Sequence, residues 1–207
     1  AMIKVKFTKG ELKRQRDSLS QFKRYLPTLQ LKKQQLQMEI LHWHAAEREK
    51  AQALHSRMLA AASWAGLLAE DNGVDLKPLL VPSEIVTSIK NVAGVDLPVF
   101  ERAVFPEAEY DLFRVPPWVD NGLDALRELV SMRSEMEVIA QAAGLLKKEL
   151  RVTAQRVNLF EKVKIPDAQE AIRRIKIYIG DQMANAVGRS KIAKRKIEDL
   201  EALEAAL

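Results

Sequence analysis

Apolar side chains recur at alternating steps of three and four from Leu19 onward, through Phe22, Leu26, Leu29, Lys33, Leu36, Ile40 and Trp43. That spacing predicts a long helix with a heptad seam along one side, interrupted once by a charge at Lys33. The pattern continues more loosely through Leu54, Met58, Ala61, Ala65 and Leu68, after an eleven-residue step that relaxes the supercoil. Asp71, Asn72 and Gly73 then supply stop signals. From Gly10 to Ala69, a rise of 1.5 Å per residue gives a rod of about 90 Å. A helix of that length calls for a partner.

The last third of the chain supplies one. After VDNG (119–122), a second seam runs Met136, Ile139, Ala143, Leu146, Leu150, Thr153, Val157 and Phe160. Beyond Pro166 it resumes with Ile172, Ile175, Ile179, Met183, Ala186, Ala193, Ile197 and Leu200. The expected fold is mainly α: an antiparallel two-helix coiled coil of N- and C-terminal arms, each shielding the other's stripe. Burial stabilises it by about 1.5–3 kcal/mol for each large apolar side chain. Three segments follow: an arm over 1–70, a small central region over 71–122, and a second arm over 123–207.

Both arms contain an interior proline, Pro27 in RYLPTLQLKKQQLQMEI and Pro166 in FEKVKIPDAQEAI. Such a proline removes one backbone hydrogen bond and clashes with the preceding turn, at about 3 kcal/mol. With arm ends near 70 and 123, paired residue numbers add to about 193, which places Pro27 and Pro166 at one level. The expectation is a shared bend there, set against the plainer reading that each proline opens a separate helix in its first turn. Residues beyond about 193 are expected to project without a partner.

The middle breaks the helical period. Leu97, Val99, Glu101, Ala103 and Phe105 alternate on one face, and the alternation resumes at Tyr110, Leu112 and Arg114. Pro98, Pro106, Pro116 and Pro117 punctuate it. The expected element is a β-hairpin over about 97–115 with its turn at Pro106 to Glu109, preceded by helical turns at Leu76–Leu80 and Ser83–Asn91. An isolated hairpin is marginal in water, so one face must pack on the arms or on a partner. Phe100, Phe105, Tyr110 and Phe113 are its candidate contacts.

Composition agrees with a helical rod. Aromatics are 6% of the 207 residues, Gly and Pro number eight each, and Ala, Leu, Glu, Lys, Arg and Gln dominate. The chain has no cysteine, which excludes disulfides, thiolate nucleophiles and zinc–thiolate sites. No apolar run approaches the roughly 18 residues of a membrane span, and no signal peptide is recognisable, so a soluble cytoplasmic protein is expected. Ala1 ahead of Met2 reads as an expression remnant.

The net charge of +5 conceals a polarity. Residues 1–33 hold ten Lys/Arg against Glu11 and Asp17, and residues 173–196 hold eight against Asp181. Residues 70–120 hold ten Asp/Glu against Lys77, Lys90, Arg102 and Arg114. Lys13, Arg14, Arg16, Lys23 and Arg24 with Arg189, Lys191, Lys194, Arg195 and Lys196 form a candidate cationic tip. Nucleic acid is one partner for such a patch. Few aromatics are interleaved, however, and Glu198, Asp199, Glu201 and Glu204 follow closely, so an acidic or polar protein surface fits better.

Catalytic patterns are lacking. VGRSKIAK (187–194) lacks the first glycine of a nucleotide-binding loop and sits within a helical pattern. His42 and His44 point about 200° apart on a helix, and His55 lies roughly 16 Å beyond His44, so the three cannot share a metal. Glu47/Glu49 and Glu135/Glu137 diverge likewise, and no GxSxG occurs. Met38, Trp43, Met58, Trp64, Met132, Met136 and Phe160 are most simply seam contacts or contacts to other subunits. No catalytic, cofactor-binding or metal-ligating residue is assigned.

The strings LPTLQLKKQQLQMEI (26–40) and RVNLFEKVKIP (156–166), followed by EAIRRIKIYIGDQ, resemble the D subunits of V/A-type ATPases and ATP synthases. The likeness covers nearly the whole chain. Leu26-Pro27-Thr28 matches the family's Pro-Thr ahead of a lysine-rich leucine helix, and Arg156-Val157-Asn158, Glu161 and Ile165-Pro166 match its C-terminal motif. GDQMANAVGRSKIAKRK and QQLQMEILHWHAAE depart from the runs common in archaeal and eukaryotic members, so this looks like a bacterial-type member.

The resemblance implies a non-catalytic rotor axle, peripheral to the membrane within a rotary complex. Its termini would enter the ring of A and B subunits, where ATP is bound. The F subunit would dock on its side, and its middle would face a C/d-type membrane-side connector. Lys13, Arg14, Arg16, Arg189, Lys191, Lys194 and Arg195 would then lie at the ring. Neither nucleic acid nor a cofactor of its own is implied. The other readings of the residues are a structural coiled-coil adaptor and a basic helical hairpin that binds nucleic acid.

Overall fold

The structure, a computed structural model, describes residues 6–69, 75–111 and 115–204. Helix α1 spans Lys9–Ala62, with a 3-10 turn at Ala65–Ala69 after it. Strands β1 (Glu84–Val92) and β2 (Val95–Val104) form an antiparallel hairpin. Helix α2 spans Val119–Leu159, a π-helical turn occupies Phe160–Lys164, and α3 spans Ile165–Glu204. The expected fold class is observed: mainly helical, with two long arms and a small central hairpin. The stop signals Asp71, Asn72 and Gly73, and Leu112, Phe113 and Arg114, lie outside the described residues.

The chain divides into two compact units. One comprises Leu31–Thr153, and the other joins the residues up to Gln30 with those from Ala154 onward.

In the Leu31–Thr153 unit, α1 and α2 run antiparallel. Lys32 meets Glu149 at 2.8 Å, Lys50 meets Glu135 at 2.9 Å and Arg57 meets Glu128 at 3.0 Å. These pairs are partly or largely exposed, so each contributes little by itself and serves mainly to mark register. Apolar burial contributes more. Leu36, Leu97, Ala142 and Leu146 form a core with almost no exposure, and Ile40, Trp43, Val92, Val95 and Leu150 pack around it. The hairpin thus lies on the helix pair through Leu97, which supplies the support that two strands lack alone.

The hairpin sits earlier than its pattern suggested. Ser83–Asn91, read as a helical turn, is almost entirely β1, because Ile85, Val86, Thr87 and Ile89 are stiff β-branched residues suited to a pleated strand. Its connection is the two-residue loop Ala93–Gly94, not Pro106–Glu109. Both loop residues have positive φ, 51° and 77°, the backbone that matches strand twist in tight hairpins. Asn91 holds the turn, its side-chain oxygen accepting from the Gly94 N–H at 3.2 Å while its amide donates to Asp96 at 2.6 Å. A bulge between Val86 and Thr87 leaves Glu101 without an opposite residue.

Residues 105–111 are not a second strand but return to α2. Arg127 donates to the carbonyls of Leu79 and Pro106 at 3.2 and 2.6 Å, with its guanidinium 5.4 Å from the Phe105 ring centre. The Tyr110 hydroxyl donates to Asp120, which raises the phenol's pKa because that hydrogen bond favours the protonated form. Leu76, Val119 and Leu123 form a second small core beside it.

In the other unit, Thr8 caps α1 by accepting the Glu11 N–H at 3.2 Å. Ring pairs fix the antiparallel register, Phe7 against Tyr178 with centres 5.1 Å apart and Phe22 against Phe160 at 5.3 Å. Those numbers add to 185 and 182 rather than 193, because α1 ends at Ala62 and α2 begins at Val119, both earlier than expected. Pro27 therefore faces residues near 155–158 and Pro166 faces residues near 16–19. The two prolines lie about nine residues, or roughly 13 Å, apart along the helix, and the shared level is corrected.

Each proline is accommodated differently. Helix α1 continues through Pro27, where the Thr28 hydroxyl donates to the Tyr25 carbonyl at 2.7 Å. Pro166 instead stands one residue beyond the π turn, at the second position of α3. Beyond it, Glu170 accepts from Arg173 at two positions, both 2.8 Å, and from Arg174 at 2.9 Å. These hydrogen bonds, Arg173 first, lower its carboxyl pKa from 4.5 to about 2.

Two measurements check these details. Gly94→Ala is expected to lower unfolding stability by about 1 kcal/mol through left-handed strain, and Ala93→Gly to raise it by less; denaturant unfolding reads both. Because folding lowers the Glu170 pKa, its stabilising effect is present above pH 4.5 and lost as pH falls toward 2. The melting difference between wild type and Glu170→Gln is therefore expected to shrink over that window, with an NMR titration midpoint for Glu170 near 2.

Candidate partner-binding surfaces

Three surfaces carry more apolar exposure than packing explains, and each lies within one unit. The first is the end of α3. Ile175 is fully buried, but from Asp181 through Asp199 every side chain is exposed and only Gly188 is partly covered. Met183 (54%), Val187 (56%), Ile192 (61%) and Ile197 (56%) stand among basic residues. The loss of cover begins where α3 passes Phe7, about fifteen residues earlier than the position near 193 expected from sequence. The side chain of Leu200 lies outside the described residues.

The expected cationic tip is two bands. Lys13, Arg14 and Arg16 are exposed on α1, and Arg189, Lys191, Lys194 and Arg195 are exposed on α3. With Phe7 opposite Tyr178, the bands are separated by about 25 Å along the helices. Lys194 reaches Glu198 at 3.5 Å, one turn on. The structure does not bring the two groups into one patch.

The second surface is an open apolar groove of about 560 Å³ in the Leu31–Thr153 unit. Leu54 and Met58 of α1, Leu80, and Leu126, Leu129, Val130 and Met136 of α2 line it, with Glu47, Arg133 and Glu137 at its edge. Met58 is 55% exposed. The heptad pattern contained this groove as a loosening: after the eleven-residue step α1 offers Met58 and alanines, too little side chain to close over α2.

The third is the hairpin. Ile85 and Ile89 alternate on the face of β1 turned from the helices, and Ile89 is 77% exposed. The candidate contacts named from sequence turn largely inward. Phe105 lies under Arg127, Tyr110 is bonded to Asp120, and Phe100 lines a cleft of about 260 Å³ with Trp43, Lys90 and the Lys50–Glu135 pair. Phe113 lies outside the described residues. Sequence reasoning missed Ile85 and Ile89 because their segment was read as helix.

Among the described residues, no group of three His, Asp or Glu side chains could hold a metal, and no helix is long and apolar enough to cross a membrane. His44 is paired with Glu47 at 2.9 Å. What the three surfaces offer is contact area for protein partners.

Residues 11–195 match the family of ATP synthase D subunits. The chain is 40% identical to the V-type ATP synthase D subunit of Borreliella burgdorferi over 196 residues, which is 95% of this chain and 96% of that one. It is 35% identical over 200 residues to the corresponding protein of Chlamydia pneumoniae, covering 95% and 94%, and 34% identical over 195 residues to that of Chlamydia abortus, covering 94% of each. Matched across nearly its whole length at these identities, the chain belongs to the ATP synthase D-subunit family.

Proposed function

We propose that this chain is the central shaft of a V-type ATP synthase, coupling ATP turnover in the A/B ring to ion movement through a membrane ring. It binds no nucleotide and performs no chemistry of its own. The observation that carries the reading is the bare end of α3, where apolar and basic side chains are exposed together for about five turns. A helix exposing that much apolar surface calls for an enclosing partner. A sleeve of A and B subunits supplies one while leaving the helix free to turn.

The remaining surfaces fit the other partners implied by the family. The apolar groove beside Met58 and Leu129 suits the side-docking F subunit, which would cover it with a helix face. The outer hairpin face at Ile85 and Ile89 suits the C/d-type connector on the membrane side. The chain then works at the cytoplasmic face of the membrane without entering it.

Reconstitution tests this. Adding the full chain to A and B subunits, with and without F, is expected to place one copy in an A/B hexamer and change its ATPase rate, as read by light scattering and turnover. No association under conditions where A and B assemble would defeat the shaft reading. Met58→Glu, at a largely exposed position, is expected to leave the melting temperature within a degree or two while weakening F binding at least tenfold. Unchanged F affinity would remove the groove assignment.

A further inference from the structure

The seam of the second arm contains one residue too many. Thr153, Val157 and Phe160 face inward at steps of four and three, and the next covered side chain is Ile165, five residues on. Glu161, Lys162, Val163 and Lys164 are all exposed, a run of four where heptad spacing leaves at most three. From Ile165 the steps return to three and four through Ala168, Ile172, Ile175 and Ile179. Along α1 the facing seam is unbroken from Leu12 to Leu29.

The backbone absorbs the surplus within Phe160–Lys164. The Ile165 N–H reaches back five residues to the Phe160 carbonyl, not four to Glu161. Pro166, next in the chain, has no N–H to offer Lys162. Two consecutive links of the helical ladder are thus altered at one turn, whose outward residues gain no burial in return. Phe160 itself remains fixed against Phe22. Below and above this turn the ladder is regular and the seam is filled.

We propose that the Phe160–Lys164 turn is a built-in joint: the site where this arm opens and twists first, while α1 beside it stays continuous. A single inserted residue supplies the slack, and Pro166, which offers no N–H to the Lys162 carbonyl, leaves the turn one link weaker. In the shaft reading, on which this consequence rests, the joint takes up torsion locally, so that twist does not shear the seam on either side. The joint itself is a property of the lone chain and stands apart from that reading.

Hydrogen exchange on the full chain tests it. The amides of Lys162–Ile165 and Asp167 are expected to exchange at least tenfold faster than those of Thr153–Val157 and Ala168–Ile175. Equal protection across all three segments would overturn the proposal. Deleting Val163 together with Pro166→Ala restores a four-residue step from Phe160 to the next seam position. That variant is expected to bring the segment to its neighbours' protection; continued fast exchange in a folded variant would overturn the joint. In a reconstituted A/B complex the straightened variant is expected to raise the torsional stiffness of the shaft about twofold, and unchanged stiffness would remove the elastic role. Failure of both wild type and variant to enter the ring would instead defeat the shaft reading, leaving the exchange result to stand.

Discussion

A stripe of apolar side chains repeating every 3.5 residues cannot be left in water along its length, and within each unit its burial fixes which residues of the two arms can meet. Leu36 and Leu146 in one unit, and Phe22 with Phe160 in the other, are consequences of that matching. The charged pairs follow the register and do not set it, since Lys50–Glu135 and Arg57–Glu128 are too exposed to outweigh a slipped seam. The hairpin depends on the same constraint: Leu97 is buried in the core that Leu36, Ala142 and Leu146 form where the two arms meet.

What the seam leaves uncovered is equally informative. Where both arms offer large side chains, the surface between them closes; where α1 offers Met58 and alanines, a groove stays open, and where α3 runs past the start of α1, it is bare. Single exposed residues such as Leu31, Met38 and Leu41 are of the kind common on any protein, whereas these three surfaces gather several apolar side chains together. They occur where intramolecular packing runs out. That is the pattern of a protein completed by its neighbours, and it accords with membership in the ATP synthase D-subunit family.

The helices and their antiparallel pairing were legible in the sequence because a long period repeats its own evidence: each of Leu19 through Trp43 restates the frame. The hairpin was half legible. Leu97 to Ala103 alternates cleanly, but the turn that follows Ile85 to Val92 is Ala-Gly, without the asparagine or aspartate that usually announces a left-handed pair. Register was the least legible quantity, because it depends on where helices end. An error of a few residues at Ala62 and Val119 displaced every predicted pair, the prolines included. Of the surface residues, the cations are exposed but lie in two bands, the groove was present in the sequence only as a loosening of the heptad pattern, and the outer hairpin face depended on β1 and so was not visible.

Proline alone does not decide whether a helix deviates. Pro27 and Pro166 are both exposed, and both remove one hydrogen bond from the ladder, yet α1 runs through the first while a π turn precedes the second. The difference lies in residue count. Around Pro27 the steps through Phe22, Leu26 and Leu29 are already four and three, so any change of helical pitch would rotate the following seam out of contact. The missing bond is left on the solvent side, where a carbonyl can turn toward water, and the Thr28 hydroxyl donates back across Pro27 to the Tyr25 carbonyl. Before Pro166 the step from Phe160 to Ile165 is five, and a regular α-helix would swing Ile165 and all that follow away from α1 by about 100°. Widening one turn costs less than losing Ala168, Ala171 and Ile175 from the core, so the packing frame, and not the proline, selects the deviation.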